Sequence, residues 1–368
     1  MKKTLLSLFF ALLIASTTLA GSRSTFQGVR AMGMGNASVA AVDDAASMLS
    51  NPAGLDLYME HMHLTLNFAG YVSPSILDLS SFVANHSDEL TNTEGLKSLD
   101  NKFYDDLYNI DGKWSTVGLL PNVGFMARTY GLTYGAYYYW DIPTRVMLES
   151  GVLVPKIFIG TQMDQVLTGS VARRFNRNIS LGVNVKWIDR YVIDDIALGY
   201  TQTMEFIERF EKDKLNALDP LLSHQYGPGA DAGAIFHFGQ LRAGVSVMDL
   251  FSYVGSEVMT PRLNLGMAYK LLALMEYNLI DDATLTTDLH DVFKRANFFT
   301  KLNIGAEVRM TALDVRLGLN QGYPTFGTTL HWLLFHFDYL YYGEEKGLYP
   351  GDKPLLYHLV QVGADIKF

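Results

Sequence analysis

From about residue 60 to the C-terminus, apolar side chains occupy every second position in one segment after another. The last segment shows this most clearly, because Val360, Val362 and Ile366 alternate with Gln361 and Asp365. Successive side chains of a β-strand point to opposite faces, so each such segment has one apolar face and one polar face. A chain that repeats this pattern over most of its length is predicted to be all-β.

The alternation predicts about 14 strands, which makes an antiparallel barrel the expected architecture. The predicted strands lie near residues 62–72, 115–129, 132–148, 157–174, 178–196, 228–239, 241–251, 262–269, 271–280, 298–310, 313–322, 325–332, 335–342 and 355–368. An even number of strands returns the chain to the side on which it began, as in bacterial outer-membrane barrels.

The predicted connections are short at one rim of the barrel and long at the other. Phe175–Asn178, Gly239–Gln240 and Thr311–Ala312 are candidate tight turns. The long connections are predicted at residues 73–114, 142–156, 201–226 and 281–297, of which 73–114 and 201–226 are the expected extracellular loops. This asymmetry is typical of outer-membrane barrels.

Strand length and the residues of the polar faces favour a membrane barrel over a soluble β-sandwich, which would also show alternation. The chain is 49% hydrophobic and 12% aromatic, yet after residue 20 no apolar run reaches the ~20 residues of a membrane-spanning helix. Many predicted strands exceed the ~9–11 residues that cross a bilayer at a tilt. Charged side chains on the polar faces are expected to pair inside the barrel; they are Lys301, Glu307, Arg309, Asp314, Arg316, Asp365 and Lys367.

Residues 1–20 have the pattern of a cleavable signal peptide. Lys2 and Lys3 precede an apolar stretch, Leu5–Leu19, which ends at Ala20. The protein is therefore predicted to be exported and to reside in the cell outer membrane. There are no cysteines, so stability must come from packing and backbone hydrogen bonds.

Residues 21–60 are predicted to be an N-terminal hatch, or plug, and residues 61–368 the barrel around it. A lumen of about 14 strands is wider than the ~8-strand barrels that side chains alone can fill. This region is rich in small residues, and Asn51 followed by Pro52 is the pattern of a helix cap followed by the first helical position. The predicted hatch residues are Gly33, Gly35, Asn36, Asp43, Asp44, Asn51, Pro52 and Gly54.

Several functions are disfavoured. The formal net charge of −9 argues against a nucleic-acid partner, since phosphate binding needs basic patches. No Gly-x-Ser-x-Gly or His-Glu-x-x-His motif occurs, so an enzyme is not predicted, and neither is a cofactor. His61 and His63 lie two apart, but no third ligand is placed, so no metal site is predicted.

Two long connections carry apolar side chains at helical spacing. They are Leu99, Phe103 and Leu107 in one, and Phe206 and Phe210 in the other. Two interpretations remain open: these stripes pack as a lid on the rim, or they form the place where a hydrophobic ligand enters. The final residue, Phe368, is predicted to lie at the membrane boundary and to act as the signal that the barrel assembly machinery reads.

Three stretches near the N-terminus resemble one known family. Val29–Ala37, Asp43–Ala45 and Asn51–Leu55 are similar to the hatch of the long-chain fatty acid transporter (FadL-like) superfamily of outer-membrane barrels. Gly318–Pro324 and Tyr342–Glu345 look like the C-terminal strands of its PorV/PorQ-like branch. The resemblance therefore covers both ends of the mature chain and is strongest for that branch.

The resemblance implies a 14-stranded barrel with a hatch in its lumen. Transporters of the superfamily move hydrophobic compounds inward through a lateral opening, so a channel for fatty-acid-like small molecules is the first hypothesis. The PorV branch serves type IX protein secretion, so a secretion component with protein partners is the second. A soluble binding protein is the third. The expected partners are outer-membrane lipid and a hydrophobic small molecule or secretion proteins.

Overall fold

We analysed a computed structural model of the chain. It describes residues 26, 28–58, 62–87, 100–127, 129–149, 152–198, 222–276, 279–294 and 296–368. The predicted signal peptide lies outside the described residues, as do His61, Leu99, Phe206 and Phe210.

A single antiparallel sheet closes on itself. Its strands are β1 (Met62–Val72), β2 (Trp114–Leu119 and Asn122–Ala127), β3 (Tyr130–Glu149), β4 (Val152–Asn176), β5 (Ile179–Leu198), β6 (Leu222–Phe238), β7 (Leu241–Met248), β8 (Arg262–Lys270), β9 (Asp282–Leu289), β10 (Leu302–Arg309), β11 (Leu313–Asn320), β12 (Tyr323–Trp332), β13 (Phe335–Glu345) and β14 (Pro354–Lys367). Each strand pairs with the next, and β14 pairs with β1 from His63–Lys367 to Val72–His358. The predicted fold, a closed antiparallel barrel of 14 strands, is confirmed.

Strand β2 is interrupted at Leu120 and Pro121 but remains one strand of the barrel. Asn67 of β1 lies opposite Asn122, and Gly70 lies opposite Leu119, so the register is the same on both sides of the interruption. Leu120 still donates its amide hydrogen to the Ala69 carbonyl at 2.8 Å. Proline has no amide hydrogen to donate to a neighbouring strand, which explains the break in regular pairing.

One predicted strand was placed wrongly. Residues 271–280 do not form a strand; Leu272–Met275 form a short helix, α5, and the ninth strand is β9, residues 282–289. The Leu-Leu-Ala-Leu-Met run at 271–275 has high helix propensity, whereas β9 is rich in threonine and aspartate and alternates weakly in hydropathy.

Two predicted long connections were also wrong. Strands β3 and β4 continue to Glu149 and from Val152, so no long loop occupies 142–156. The predicted loop at 281–297 contains β9, and residues 222–226 of the predicted loop 201–226 belong to β6. Helices α3 (Ser75–Asn85) and α4 (Asn101–Ile110) lie in the connection between β1 and β2.

The two faces of the sheet sort as in a membrane barrel. Large apolar side chains are exposed on the outer face. Phe68 is 58% exposed and Val183 is 54% exposed. Polar side chains such as Asn184, Asp231 and Glu307 are buried on the inner face. A soluble sandwich would place its apolar faces between two sheets, so this single closed sheet excludes that architecture.

The barrel wall has unequal height. Strands β3, β4 and β5 contain 20, 25 and 20 residues, whereas β7, β9, β10 and β11 contain 8 each. A bilayer needs only ~9–11 residues of a tilted strand. The long strands therefore extend beyond the membrane at the rim opposite the chain ends. Among the described residues, no helix is long and apolar enough to cross a membrane.

We expect Val183→Arg to lower the free energy of unfolding by about 2–4 kcal/mol, because a cation on the lipid-facing wall must enter hydrocarbon. The measurement is denaturant unfolding in lipid vesicles. Asn178→Arg in the tight turn after β4 is the control and should change stability by less than about 1 kcal/mol. Equal, small effects of both variants would contradict a lipid-facing position for Val183.

Candidate functional site: a cavity between the N-terminal segment and the barrel wall

We call residues 28–58 the N-terminal segment. It contains helix α1 (Val29–Gly33), helix α2 (Ser47–Ser50) and a 3₁₀ helix, Pro52–Leu57. Most of its side chains are buried. Its contacts are with inward-facing positions of strands on all sides of the barrel, which places the segment within the lumen.

The wall meets this segment through glycines that face inward on successive strands. They are Gly124, Gly131, Gly182, Gly233, Gly244, Gly266, Gly305, Gly318 and Gly327. A Cβ at Gly318 would overlap the amide nitrogen of Gly35, and a Cβ at Gly182 would overlap Pro52 and Ala53. The absence of side chains at these points lets the segment lie directly against the backbone of the wall.

The end of α1 explains why Gly35 and Asn36 occur where they do. Both have positive φ, at 62° and 64°, a conformation that glycine and asparagine tolerate best. Asn36 donates its amide hydrogen to the Ala31 carbonyl at 2.8 Å and so ends the helix. The Gly35 amide donates to the Thr325 hydroxyl of β12 at 3.0 Å.

Asn51 fixes the second half of the segment. Its side chain is fully buried and accepts a hydrogen bond from the Ala53 amide at 3.1 Å, which caps the 3₁₀ helix that begins at Pro52. Its amide group donates to the Val39 carbonyl at 2.7 Å. The predicted Asn-Pro cap is confirmed. Gly54 allows the close approach of the Val42 carbonyl, 2.7 Å from where a Cβ would stand.

Arg30 joins the segment to the wall. Its guanidinium donates to Glu307 of β10 at 2.9 and 2.7 Å, to Asp43 at 2.5 Å and to Asp44 at 3.0 Å. Glu307 is 2% exposed and also accepts from Arg316 at 2.7 Å. The Arg30 guanidinium therefore pairs with three carboxylates, two in the N-terminal segment and one on the barrel wall.

Burial and charge pairing oppose each other at this cluster. Burial by itself would lower the pKa of Arg30, but Asp43, Glu307 and Asp44 together raise it well above the ordinary arginine value. Burial would raise the pKa of Asp43, but the charges of Arg30 and Arg309 outweigh it, so the net direction is downward. Both groups are charged at neutral pH and hold each other in place.

The ion pairs continue along the inner wall of β11 to β14 and reach β1. Arg316 pairs with Asp314 at 2.8 Å, and His331 lies 3.1 Å from the same carboxylate. Arg316 also donates to Thr329 at 2.6 Å, and Thr329 contacts Asp338. The series then runs from Asp338 to His336, Asp365 and His63, with His336–Asp338 at 2.8 Å and His63–Asp365 at 2.9 Å.

The predicted inward pairing of charged residues is confirmed for most members of the set. Glu307, Arg309, Asp314, Arg316 and Asp365 each form ion pairs on the inner face. Lys301 instead bonds to a backbone carbonyl, that of Val292, at 2.9 Å, and Lys367 lines the cavity described next.

A cavity of about 410 Å³ lies between this network and the N-terminal segment. Its uncharged polar lining includes Asn67 and Asn122, and His63 and several charged side chains also line it. Its apolar lining is formed by Phe26, Val29, Ala45, Ala46, Leu49, Met126 and Tyr137. The size is within the ~300–1,000 Å³ range of small-molecule sites in proteins.

An apolar layer lies between this cavity and the rim opposite the chain ends. Phe26, Val29 and Tyr137 belong to both the cavity lining and this layer. Tyr71 and Tyr357 face each other at 4.7 Å between ring centroids, within a cluster that also contains Tyr139, Tyr342, Leu355 and Leu359. The lumen is therefore apolar and aromatic above the cavity and charged along one wall of it.

A groove of about 460 Å³ lies on the lipid-facing side of the same wall. Leu66, Phe68 and Val362 are among its apolar lining residues, together with Pro121, Val123, Tyr134, Ala136, Phe335 and Ala364. Asn67 and Asn122 line both the groove and the inner cavity. These two residues lie opposite each other in the pairing of β1 with β2, and their side chains are joined by a hydrogen bond of 3.0 Å. The paired strands at Asn67 and Asn122 therefore separate the two spaces.

The predicted ligand-access residues are only partly within the structure. Phe103 and Leu107 are fully buried, and Phe103 packs on Phe82 of α3 with ring centroids 5.5 Å apart. Leu99, Phe206 and Phe210 lie outside the described residues, so a role in ligand access stays a prediction.

Phe368 is 70% exposed at the end of β14, and its amide donates to the Met62 carbonyl at 3.0 Å. Its role as an assembly signal also stays a prediction. His61 lies outside the described residues, and within the described ranges no cluster of His, Asp and Glu is arranged to hold a metal.

The residues that line the cavity were not all foreseen from the sequence. His336 lies near the start of a predicted strand, a position that would suggest a hydrated rim residue, yet it is buried and paired with Asp338. Asn67 and Asn122 were not singled out. A usable signal existed in β1, where His63, Thr65 and Asn67 put polar groups at three successive inward positions.

Solved structures of membrane channels and transporters have a similar overall fold. Three similar structures are described as the CymD monoaromatic hydrocarbon channel, the Ralstonia pickettii toluene transporter TbuX, and a deltaS2S3 mutant of the TodX monoaromatic hydrocarbon channel. Their identities to this chain are 13%, 14% and 10%, and their TM-scores are 0.50, 0.53 and 0.55. They cover 95%, 94% and 92% of this chain, and 99%, 99% and 97% of their own lengths.

The comparisons establish the fold. The expected likeness to FadL-like barrels is confirmed at that level, because the similarity extends over nearly the full length of each of these channels. No protein-family model matches the sequence, and no curated protein matches it. All three structures are hydrocarbon channels, and the PorV/PorQ-like assignment stays a prediction.

We expect Gly318→Val to lower the free energy of unfolding by about 1–3 kcal/mol, because the added side chain must displace the backbone of the segment at Gly35. Denaturant unfolding in detergent measures this. Gly169→Val is the matched control, since a Cβ at Gly169 would lie 4.0 Å from the Val185 carbonyl oxygen. If both variants unfold at the same denaturant concentration, the close contact at Gly318 is contradicted.

Acid should release the segment near Asp43. A carboxylate with a lowered pKa contributes its full stabilisation above the unfolded value of about 3.9 and loses it as the pH falls through the lowered pKa. A nitroxide label on Ala46→Cys in this cysteine-free chain should therefore gain mobility by electron paramagnetic resonance only below about pH 4. In Asp43→Asn the label should already be mobile at pH 7; an immobile label there would contradict the role of the ion pair.

Proposed function

We propose that the protein is an outer-membrane channel for hydrophobic small molecules. The observation that supports it most strongly is the pairing of an inner cavity with a lipid-facing groove across one thin partition, Asn67 and Asn122. The inner cavity and the groove lie on opposite sides of the barrel wall and share lining residues. A molecule that crosses the wall there would follow a lateral route. A hydrophobic molecule gains by such a route, because it leaves the lumen directly into hydrocarbon.

The proposed path begins at the rim opposite the chain ends. A molecule passes the aromatic layer around Tyr71 and Tyr357, reaches the cavity below it, and leaves between Asn67 and Asn122 into the groove. The similar structures are described as a toluene transporter and monoaromatic hydrocarbon channels. We propose the same broad class here, molecules with a single aromatic ring or a short apolar chain.

We further propose that the N-terminal segment is the hatch of this channel. It lies against strands around the lumen through the inward glycines, and Arg30 ties it to Glu307. A fixed segment at this level blocks straight passage of water and polar solutes and leaves the lateral route. The predicted hatch residues, including Gly35, Asn36 and Asn51, would then serve to hold this blockade in place.

The secretion hypothesis has less support in the described part of the chain. It calls for a partner surface on the long connections, yet the main apolar residues of α3 and α4, Phe82, Phe103 and Leu107, are buried against their own protein. Export by the predicted signal peptide at 1–20 and insertion by the assembly machinery are parts of the channel proposal as well as of this alternative.

Asn122→Trp should reduce uptake of a labelled monoaromatic hydrocarbon at least tenfold, because an indole at this position fills the partition between cavity and groove. The measurement is the initial rate of uptake by cells with the variant in the outer membrane, normalised to the amount of folded protein. Val185→Trp, on the lipid-facing wall of β5 away from the groove, is the control and should transport at the unmodified rate. Normal uptake by Asn122→Trp would exclude the lateral route.

A further inference from the structure

We propose that the inner cavity selects an uncharged amphiphile, a molecule with an apolar or aromatic body and one hydrogen-bonding group such as a phenolic or alcoholic hydroxyl. This inference rests on the proposed channel function and narrows its substrate class. It differs from a preference for pure hydrocarbon, and it follows from how charge, polar groups and apolar surface are divided around the cavity.

The carboxylates that line the cavity are already paired. Asp43 and Asp44 pair with Arg30, Asp314 pairs with Arg316, and Asp338 and Asp365 pair with His336 and His63. A ligand carboxylate or ammonium would have to break one of these pairs or enter without a counter-ion. Either event costs several kcal/mol at a site removed from water, so a charged ligand is disfavoured.

The cavity also presents uncharged polar groups. Asn67 donates to Asn122 and Gln361 donates to Asp338, so a ligand can bind only the lone pairs and hydrogens that these bonds leave over. Thr65, Asn67, Asn122, Thr133 and Gln361 lie along the β14–β3 side of the lining. Such a surface binds water when the cavity is otherwise empty of ligand. A hydrocarbon that displaces this water returns no hydrogen bond, whereas a hydroxyl replaces one.

Apolar lining residues accommodate the apolar body of the same molecule. They are Val29 and Leu49 of the N-terminal segment, Met126 of β2 and Tyr137 of β3. The groove beyond the partition is nearly all apolar apart from Asn67 and Asn122. An uncharged amphiphile can pass this partition by exchanging its hydrogen bond from the cavity wall to the asparagine amides, while its apolar body enters the groove.

The test compares three probes with the same ring: toluene, p-cresol and p-toluate. Binding to the detergent-solubilised full chain is measured by equilibrium dialysis against empty micelles of the same detergent. We expect p-cresol to bind roughly 3- to 10-fold more tightly than toluene after the micelle correction, as one net hydrogen bond provides. We expect p-toluate to bind more weakly than either at pH 7.

Variants locate the preference. Thr133→Val and Asn67→Leu keep the size of the side chain and remove a polar group from the cavity, so each should lower the p-cresol to toluene ratio toward one. Thr286→Val changes a buried inward threonine of β9 that does not line the cavity, and it should leave the ratio unchanged. Heat-dependent gel mobility of each purified variant confirms that its barrel is folded.

The outcomes separate this inference from the proposed function. If toluene and p-cresol bind with equal affinity and uptake is intact, the preference for an amphiphile is contradicted, but the proposed hydrocarbon channel is not. Tightest binding of p-toluate overturns the requirement for an uncharged ligand. No binding of any probe, together with normal uptake by Asn122→Trp, overturns the channel route as well. If both cavity variants still prefer p-cresol, the ligand binds elsewhere, and the cavity is not the selective site.

Discussion

The closure of the sheet is the constraint from which the rest of this structure follows. A barrel of 14 strands pairs every strand on both sides and leaves no edge, but it also encloses a space too wide for wall side chains to fill. The N-terminal segment occupies that space, and it can do so because glycines such as Gly182 and Gly318 remove side chains where its backbone meets the wall. The cavity is what remains between a segment held on one side and the charged wall on the other.

The ion-pair network gives the segment a second attachment of a different kind. Backbone contact at the glycines is short-ranged and depends on shape, whereas Arg30 binds Asp43 and Asp44 of its own segment and reaches Glu307 of β10. The same network continues through Arg316 and His336 to β1 and β14. Residues that hold the segment and residues that line the cavity are therefore members of one connected set, so a change at either end alters the space available to a ligand.

Sequence patterns predicted the parts of this fold that depend on local alternation. The outward and inward faces of β10, β11 and β14 followed from their period-two hydropathy, and the pairing of Glu307, Arg309 and Arg316 inside the lumen followed from those faces. Strand β9 was missed because threonine and aspartate weaken its alternation, and the neighbouring leucine-rich run has helical composition.

The cavity was beyond the reach of the same reasoning. Asn67 meets Asn122, and His63 meets Asp365, because of strand registers that join residues 55 and 302 positions apart. Local hydropathy states which face a residue occupies but not which residue lies opposite to it. For this reason no partner was predicted for Arg30, although the small residues around it predicted that this region fills the lumen.

The proline in β2 weakens the pairing of this strand with β3. Leu120 faces β1 and donates to it, whereas Pro121 faces β3, where its carbonyl accepts from the Ala136 amide at 3.0 Å. Proline cannot return a hydrogen bond to Ala136, so the pairing of β2 with β3 lacks one backbone hydrogen bond. Such a bond contributes about 0.5–1.5 kcal/mol of net stabilisation. Pro121 and Ala136 both line the lipid-facing groove. Strand β2 is therefore held less firmly on its β3 side, next to the position where the proposed route passes between β1 and β2.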